Sequence, residues 1–182
     1  MDRLTTPLNM QNIPELPSLK GIDYLRSRST DVIVFLDGDF SDYPEELPEL
    51  LKPITDEGYD LVIGSRTLGV KERGAMLPQA IFGNWLASIL IRLFWGYRFT
   101  DLGPFRAIRV TALEQMKMSD PTFGWTVEMQ IKAAKLKLRC KEVPVRYRKR
   151  IGKSKVSGTV AGTVQASAKI LFTIAKHIFI RV

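Results

Sequence analysis

Apolar positions along the 182-residue chain fall into short unbroken runs, and stretches with helical spacing alternate with them. Val32 to Leu36, inside DVIVFLDGD, is a continuous apolar run, the pattern of a strand covered on both faces. DFSDYPEELPELLKPITDEG then reads as a helix. Asp42 is placed to cap it, Pro44 suits its first turn and Gly58 suits its stop. YDLVIGSR is a second strand of the buried type. Strand, helix, strand is a βαβ unit, and such units build parallel sheets that bind ligands at the strand C-termini.

Past the Gly-punctuated loop TLGVKERGAMLPQ, the segment AIFGNWLASILIRLFWG predicts an apolar helix. FRAIRV predicts a short strand and VTALEQM a short helix. WTVEMQIKAAKLKL repeats its apolar residues at helical spacing, and RCKEVPVRYRKR alternates like a strand. Gly152 to Gly162 is small, polar and basic and predicts a loop. The tail VQASAKILFTIAKHIFIRV predicts a helix interrupted by Lys169, Lys176 and Arg181. Residues 1–19, with Pro7, Pro14 and Pro17, read as irregular, and KGIDYLRSRST as a short helix. The predicted organisation is an N-terminal segment over 1–19, an α/β domain over 20–156 and a helical segment over 157–182.

Composition adds exclusions. With 45% hydrophobic and 25% charged residues the chain is of ordinary globular type, neither disordered nor repetitive. Cys140 is the single cysteine, which excludes a disulfide framework and points to a reducing compartment. The first residues lack the apolar stretch of a secretory signal, and no uncharged apolar run approaches the ~20 residues of a membrane span. The net charge of +8 is unevenly spread. Residues 1–130 carry 13 Lys/Arg against 18 Asp/Glu, whereas residues 131–182 carry 14 against Glu142 alone. A segment this basic suits an anionic partner such as phosphate or a membrane surface, or else a solvated face. The tail helix suits either an interfacial position or packing on its own domain.

The sharpest chemistry is Asp37-Gly38-Asp39, directly after the first strand. Two carboxylates one residue apart at a strand end can converge on a hard divalent cation, Mg²⁺ or Mn²⁺, and can equally cap a turn. An EF-hand starting at Asp37 fails, because its sixth and twelfth positions would be Asp42 and Pro48. VIVFLDGDFS also resembles the first motif of haloacid-dehalogenase-type phosphatases. Those enzymes need acidic ligands downstream, and residues 129–182 contain only Glu142.

Six collinear segments carry a stronger resemblance: DVIVFLDGDFSDYPEEL, DLVIGSR, GAMLPQAIFGN, TDLGPFRAI, FGWTVEMQIKAA and EVPVRYRKRIGKSKVSGT. Together they resemble the family 2 glycosyltransferases of GT-A fold, in the branch of dolichyl-phosphate and polyprenyl-phosphate sugar transferases. The resemblance implies a Rossmann-like, mostly parallel sheet flanked by helices. It implies an inverting transfer from a UDP- or GDP-sugar donor to a lipid phosphate, at the cytoplasmic face of a membrane and without nucleic acid. On this pattern Asp37 and Asp39 hold the metal and, through it, the donor diphosphate. Asp101 lies in the segment lining the sugar and acceptor pocket. Glu128 matches the acidic position that serves as general base toward hydroxyl acceptors. Arg66 would bind phosphate, and Arg146, Arg148, Arg150, Lys153 and Lys155 would add positive charge on a strand and a lid-like loop. Alternate arginines on a strand share one face, so 146, 148 and 150 can converge; a solubilising charge run is the plainer reading.

The family's first strand, with its Pro-x-x-Asn-Glu-like motif, and its second strand have no counterpart in residues 1–19. The resemblance therefore covers the C-terminal two thirds to three quarters of such a domain, and the Asp37-Gly38-Asp39 strand is predicted at a sheet edge. A non-catalytic module binding anions or membrane surfaces is the alternative function. Trp85 and Trp95 read as core, Trp125 as bordering the pocket, His177 as packing or surface, and Cys140 as a small buried hydrophobe.

Overall fold

The computed structural model describes residues 22, 30–120, 124–152 and 160–180. Apart from Ile22 and Thr30, the predicted helix over 20–30 lies outside the described residues, as do the irregular start, Lys153 and Lys155. The unit carrying the site spans Asp31–Val182. Its elements are β1 (Val32–Phe35), a 3-10 turn (Pro44–Glu46), α1 (Leu47–Glu57), β2 (Leu61–Ser65), α2 (Pro78–Trp95), β3 (Arg106–Arg109), α3 (Val110–Met116), α4 (Trp125–Lys135), β4 (Cys140–Pro144) and α5 (Val160–Phe179).

The four strands form one sheet in the order β1-β3-β2-β4. β2 and β4 pair in parallel, with Leu61 opposite Cys140, while β3 runs antiparallel to both β1 and β2. Three strands therefore share one direction. The β1–α1–β2 crossover has the expected sense, but β3 fills the space between its two strands. β1 is the edge strand predicted for it. With a neighbouring strand on one side only among the described residues, β1 is half-buried, where its apolar run predicted cover on both faces; β2, a central strand, is buried along its whole length.

Alternation along β3 sorts the core. Ala107 faces α1 and packs with Leu50, Ile54, Val62, Phe105 and Val145, all nearly or fully inaccessible. Each such apolar side chain contributes about 1.5–3 kcal/mol through burial. Its neighbour Arg106 projects to the opposite face, toward α4, where its Nη1 donates to the Thr126 carbonyl at 3.2 Å. Helices thus cover both faces, and α5 packs against α2 and α4.

Gly58 ends α1 in the left-handed conformation at φ 71°, as read from the sequence. Asp42 does not cap the helix: the capping position of the 3-10 turn falls to Tyr43, which makes no side-chain cap. The tail helix starts at Val160, so it takes in Gly162, which the sequence placed in a loop. RCKEVPVRYRKR is a strand only as far as Pro144, whose missing N–H closes the ladder, and beyond it a single bridge joins Tyr147 to Lys71. Gly103 lies against the sheet: a Cβ there would stand 2.4 Å from the Gly64 carbonyl oxygen, so only glycine lets the Asp101 loop approach β2.

Candidate functional site

The chain leaves β1 at its C-terminal end and turns at once through Asp37, Gly38 and Asp39. Asp39 makes an Asx turn, its Oδ1 accepting from the Ser41 backbone N–H at 3.0 Å and from the Ser41 hydroxyl. Its Oδ2 lies 3.3 Å from Arg150 Nη2. Phe40, at φ 70°, takes the left-handed conformation that lets the turn close. Asp37 makes no hydrogen bond or ion pair among the described residues. It is exposed on one side, yet the protein packed around its carboxyl partly desolvates it. That desolvation and the Asp39 charge push its pKa up against the pull of Arg66, Arg150 and Arg106. Asp42 is only 2% exposed, and neither of its carboxylate oxygens has a hydrogen-bond partner. Burial and the charges of Asp37 and Asp39 push it up to about 7, against the pull of Arg66 and the Asp37 backbone N–H.

These acids fit a hard divalent cation. They supply oxygen donors at the C-terminal end of a strand, and their mutual repulsion is only partly offset by Arg66 and Arg150. Among the described residues no three His, Cys, Asp or Glu side chains form a ready-made metal cage. That agrees with Mg²⁺-type sites, which take one or two carboxylates and leave positions for water and phosphate oxygens.

The arginines at 146, 148 and 150 do share one face, and it meets the 39–46 loop. Arg146 bonds Glu46 through its backbone N–H and its guanidinium. Arg148 donates to the Phe40 carbonyl and lies over the rings of Phe40 and Tyr43. Arg146 also lies over Tyr43, 4.3 Å from the ring centroid. The row clamps the acidic turn, with each guanidinium held by that loop.

Arg66 follows β2 directly and grips Asp101. Its Nε and Nη2 form a two-pronged bond to the carboxylate at 2.8 and 2.7 Å, and its backbone N–H adds a third bond at 2.7 Å. Asp101 is fully buried. Burial alone would lower the Arg66 pKa, but Asp101 raises it. Read from the sequence as a phosphate fork, Arg66 instead spends that edge of its guanidinium on protein and stacks the plane on Tyr147. The Asp101 loop is held from every side. Glu142 accepts from the Thr100 and Asp101 backbone N–H groups, and Asn84 brackets Thr100 and Leu102. Gln130 donates to the Asp101 carbonyl. Arg106, fully buried, donates to the carbonyls of Leu102 and Gly103; desolvation lowers its pKa to about 10. Sequence reasoning missed Asn84, Arg106, Gln130 and Glu142. The only available signal was their occurrence as polar residues inside otherwise apolar elements.

Glu128 lies apart from this loop, at α4. Its carboxylate accepts from the Ser119 and Asp120 backbone N–H groups and the Ser119 hydroxyl, and it pairs with Lys132 at 2.8 Å. Burial pushes its pKa up, but these partners outweigh burial and hold it below the ordinary value. His177 of α5 is buried with Nε2 3.9 Å from Glu128, and burial, with Lys135, lowers its pKa. A depressed histidine stabilises the fold above its unfolded value of 6.5 and loses that contribution as pH falls through its folded value. The wild type is therefore expected to lose ground to His177→Gln as pH drops from 7 to 5, read as the difference in thermal midpoint; a constant difference would contradict this.

Trp85 is 55% exposed and so is not core, Trp95 is half-buried, and Trp125 meets Phe35 of β1 edge-on at 5.9 Å. Cys140 is half-buried beside the Tyr97 hydroxyl, and burial pushes its thiol up to about 12.

Residues 19–116, more than half of the chain, match the model of glycosyl transferase family 2. The chain belongs to this family. The haloacid-dehalogenase reading is thereby set aside. An undecaprenyl-phosphate mannosyltransferase of Micrococcus luteus is 31% identical over 149 residues, covering 79% of this chain and 60% of the relative. A polyprenol monophosphomannose synthase of Mycolicibacterium smegmatis is 30% identical, covering 78% and 55%. The chain thus spans little more than half the length of these relatives. Among solved structures, glucosyl-3-phosphoglycerate synthase of Mycobacterium tuberculosis, in complex with Mn²⁺, UDP and glucosyl-3-phosphoglycerate, superposes with a TM-score of 0.62. At 21% identity it covers 87% of this chain and 53% of its own, which establishes the GT-A fold.

Proposed function

We propose that this family 2 chain acts in an inverting, metal-dependent transfer of a sugar from a nucleotide-sugar donor to a polyprenyl phosphate. The observation that carries the reading is the Asp37–Asp39 carboxylate pair at the C-terminal end of β1. Its resemblance to relatives named for polyprenyl-phosphate substrates supports the choice of acceptor. Asp37 and Asp39 would hold Mg²⁺ or Mn²⁺, which as a Lewis acid offsets charge on a departing nucleoside diphosphate. In the transfer a phosphate oxygen of the acceptor bonds to the anomeric carbon, and the diphosphate leaves with the bonding electron pair. Asp101, fully buried and bound by Arg66, would order the 100–103 loop behind the sugar and acceptor pocket. An acceptor phosphate is already ionised at neutral pH, so attack needs no base. The bonds made by Glu128 suit holding the 119–120 turn in place. Arg150, Lys153 and Lys155 would supply charge to the phosphates.

A lipid acceptor implies work at a membrane surface. α2 exposes Ile81, Phe82, Trp85, Ile89 and Leu93, and α5 exposes Leu171, Phe172 and Phe179. These are apolar faces of the kind that rest in an interface. Among the described residues no helix is long and apolar enough to cross a membrane. The test is transfer of labelled sugar from GDP- or UDP-sugars to polyprenyl phosphate in vesicles, with Mn²⁺ or with chelator. The expected result is product only with metal and only with the phosphorylated lipid. Equal labelling of unphosphorylated polyprenol would overturn the acceptor assignment.

A further inference from the structure

Arg150 stands apart from the other guanidiniums around the acidic turn. Arg66 is bound to Asp101 and Arg146 to Glu46, and Arg148 donates to the Phe40 carbonyl and lies over two rings. Among the described residues the Arg150 side chain has one partner, Asp39, with Nη2 3.3 Å from Oδ2. The guanidinium is 40% exposed, so an anion arriving from solvent can reach it.

The contact falls on a particular oxygen. Oδ1 of Asp39 is engaged by the Ser41 backbone N–H and hydroxyl, which leaves Oδ2 for a cation, and Arg150 lies beside Oδ2. The main chain keeps the two residues together. The Ile151 N–H donates to the Asp39 carbonyl at 2.9 Å and the Arg148 N–H to the Ser41 carbonyl at 3.0 Å. Asp37 feels the same charge: against the desolvation and the Asp39 repulsion that raise its pKa, Arg66 and Arg150 pull it down. Of these two cations, Arg66 is committed to Asp101.

A guanidinium in this place acts oppositely on two ligands. It repels a bare cation that shares Oδ2, an effect of roughly fivefold in affinity for unit charges ~4 Å apart in water. It attracts a diphosphate, whose paired oxygens match its planar fork. Letting go of Asp39 costs little, because a half-exposed ion pair is weak.

We propose that Arg150 makes the Asp37–Asp39 site selective for a divalent cation that carries a nucleoside diphosphate, by opposing the bare ion and binding the phosphate that accompanies it. Cation and nucleotide are then coupled, each raising the affinity for the other, and Arg150 supplies part of that coupling. The inference rests on the Asp37–Asp39 reading, and its test keeps the two separate.

The experiment follows two ligands on the full chain as wild type, Arg150→Gln, Arg150→Lys and Asp37→Asn. Mn²⁺ alone is titrated by electron paramagnetic resonance of the free ion, and UDP or GDP in saturating Mn²⁺ by calorimetry. Arg150→Gln is expected to bind Mn²⁺ alone roughly fivefold more tightly and the nucleotide with Mn²⁺ at least ~10-fold more weakly. Arg150→Lys, which keeps the charge, should hold Mn²⁺ as wild type does. Both affinities falling together in Arg150→Gln, with a lowered thermal midpoint, would assign Arg150 a structural role and overturn the inference. Unchanged affinity for either ligand in Arg150→Gln, with Mn²⁺ binding lost in Asp37→Asn, would also overturn it and leave the cation site standing. Equal Mn²⁺ binding by wild type and Asp37→Asn would remove the cation site itself, and the inference with it.

Discussion

Asp101→Ala is expected to destabilise the chain by about 3–5 kcal/mol, the cost of leaving one partner of a buried ion pair alone. Asp101 is fully inaccessible and takes three bonds from Arg66, so its loss strands a guanidinium that is itself only 13% exposed. For a chain of this size the thermal midpoint should fall by roughly 10 °C. Arg66→Lys should recover little of the loss when tested against Arg66→Ala, because an ammonium cannot reproduce the planar fork that meets both carboxylate oxygens. A midpoint within 2 °C of wild type for Asp101→Ala, a shift of less than about 1 kcal/mol, would contradict the role assigned to this pair.

Asp39→Asn is expected to lower kcat/KM for metal-dependent transfer by at least ~100-fold, corresponding to about 2.7 kcal/mol of transition-state stabilisation. Its effect on stability should be small. The amide can still accept from Ser41, and the partner it gives up is Arg150, a half-exposed guanidinium whose ion pair is worth less than about 1 kcal/mol. A large loss of transfer with an unmoved thermal midpoint thus separates chemistry from folding. Comparable losses of both would place Asp39 in the scaffold.

Much of the frame was legible in the sequence because it depends on local pattern. The apolar run of β2, the Gly58 stop, the α2 and α4 helices and the strand-end position of Asp37 and Asp39 all follow from short-range signals. The insertion of β3 between β1 and β2 did not, since strand order depends on packing between segments far apart in the chain, with Val32 opposite Arg109 and Leu61 opposite Ile108. The arginine row shows the same limit. Its period of two correctly put Arg146, Arg148 and Arg150 on one face, but nothing in the spacing told that Glu46, Phe40 and Asp39 would occupy it. Arg66 was read as free for phosphate because its partner lies 35 residues away. Asp42 resembled a helix cap, but the capping position falls one residue further on, to Tyr43.

The central claim is that Asp37 and Asp39 hold a divalent cation that anchors a nucleoside diphosphate. Calorimetric titration of the folded chain with UDP and GDP, with and without Mn²⁺, tests it most directly when wild type is compared with Asp39→Asn. The account predicts saturable binding of at least one nucleotide that requires Mn²⁺ and disappears in the variant. Binding that is indifferent to the metal, or equally strong in Asp39→Asn, would contradict it.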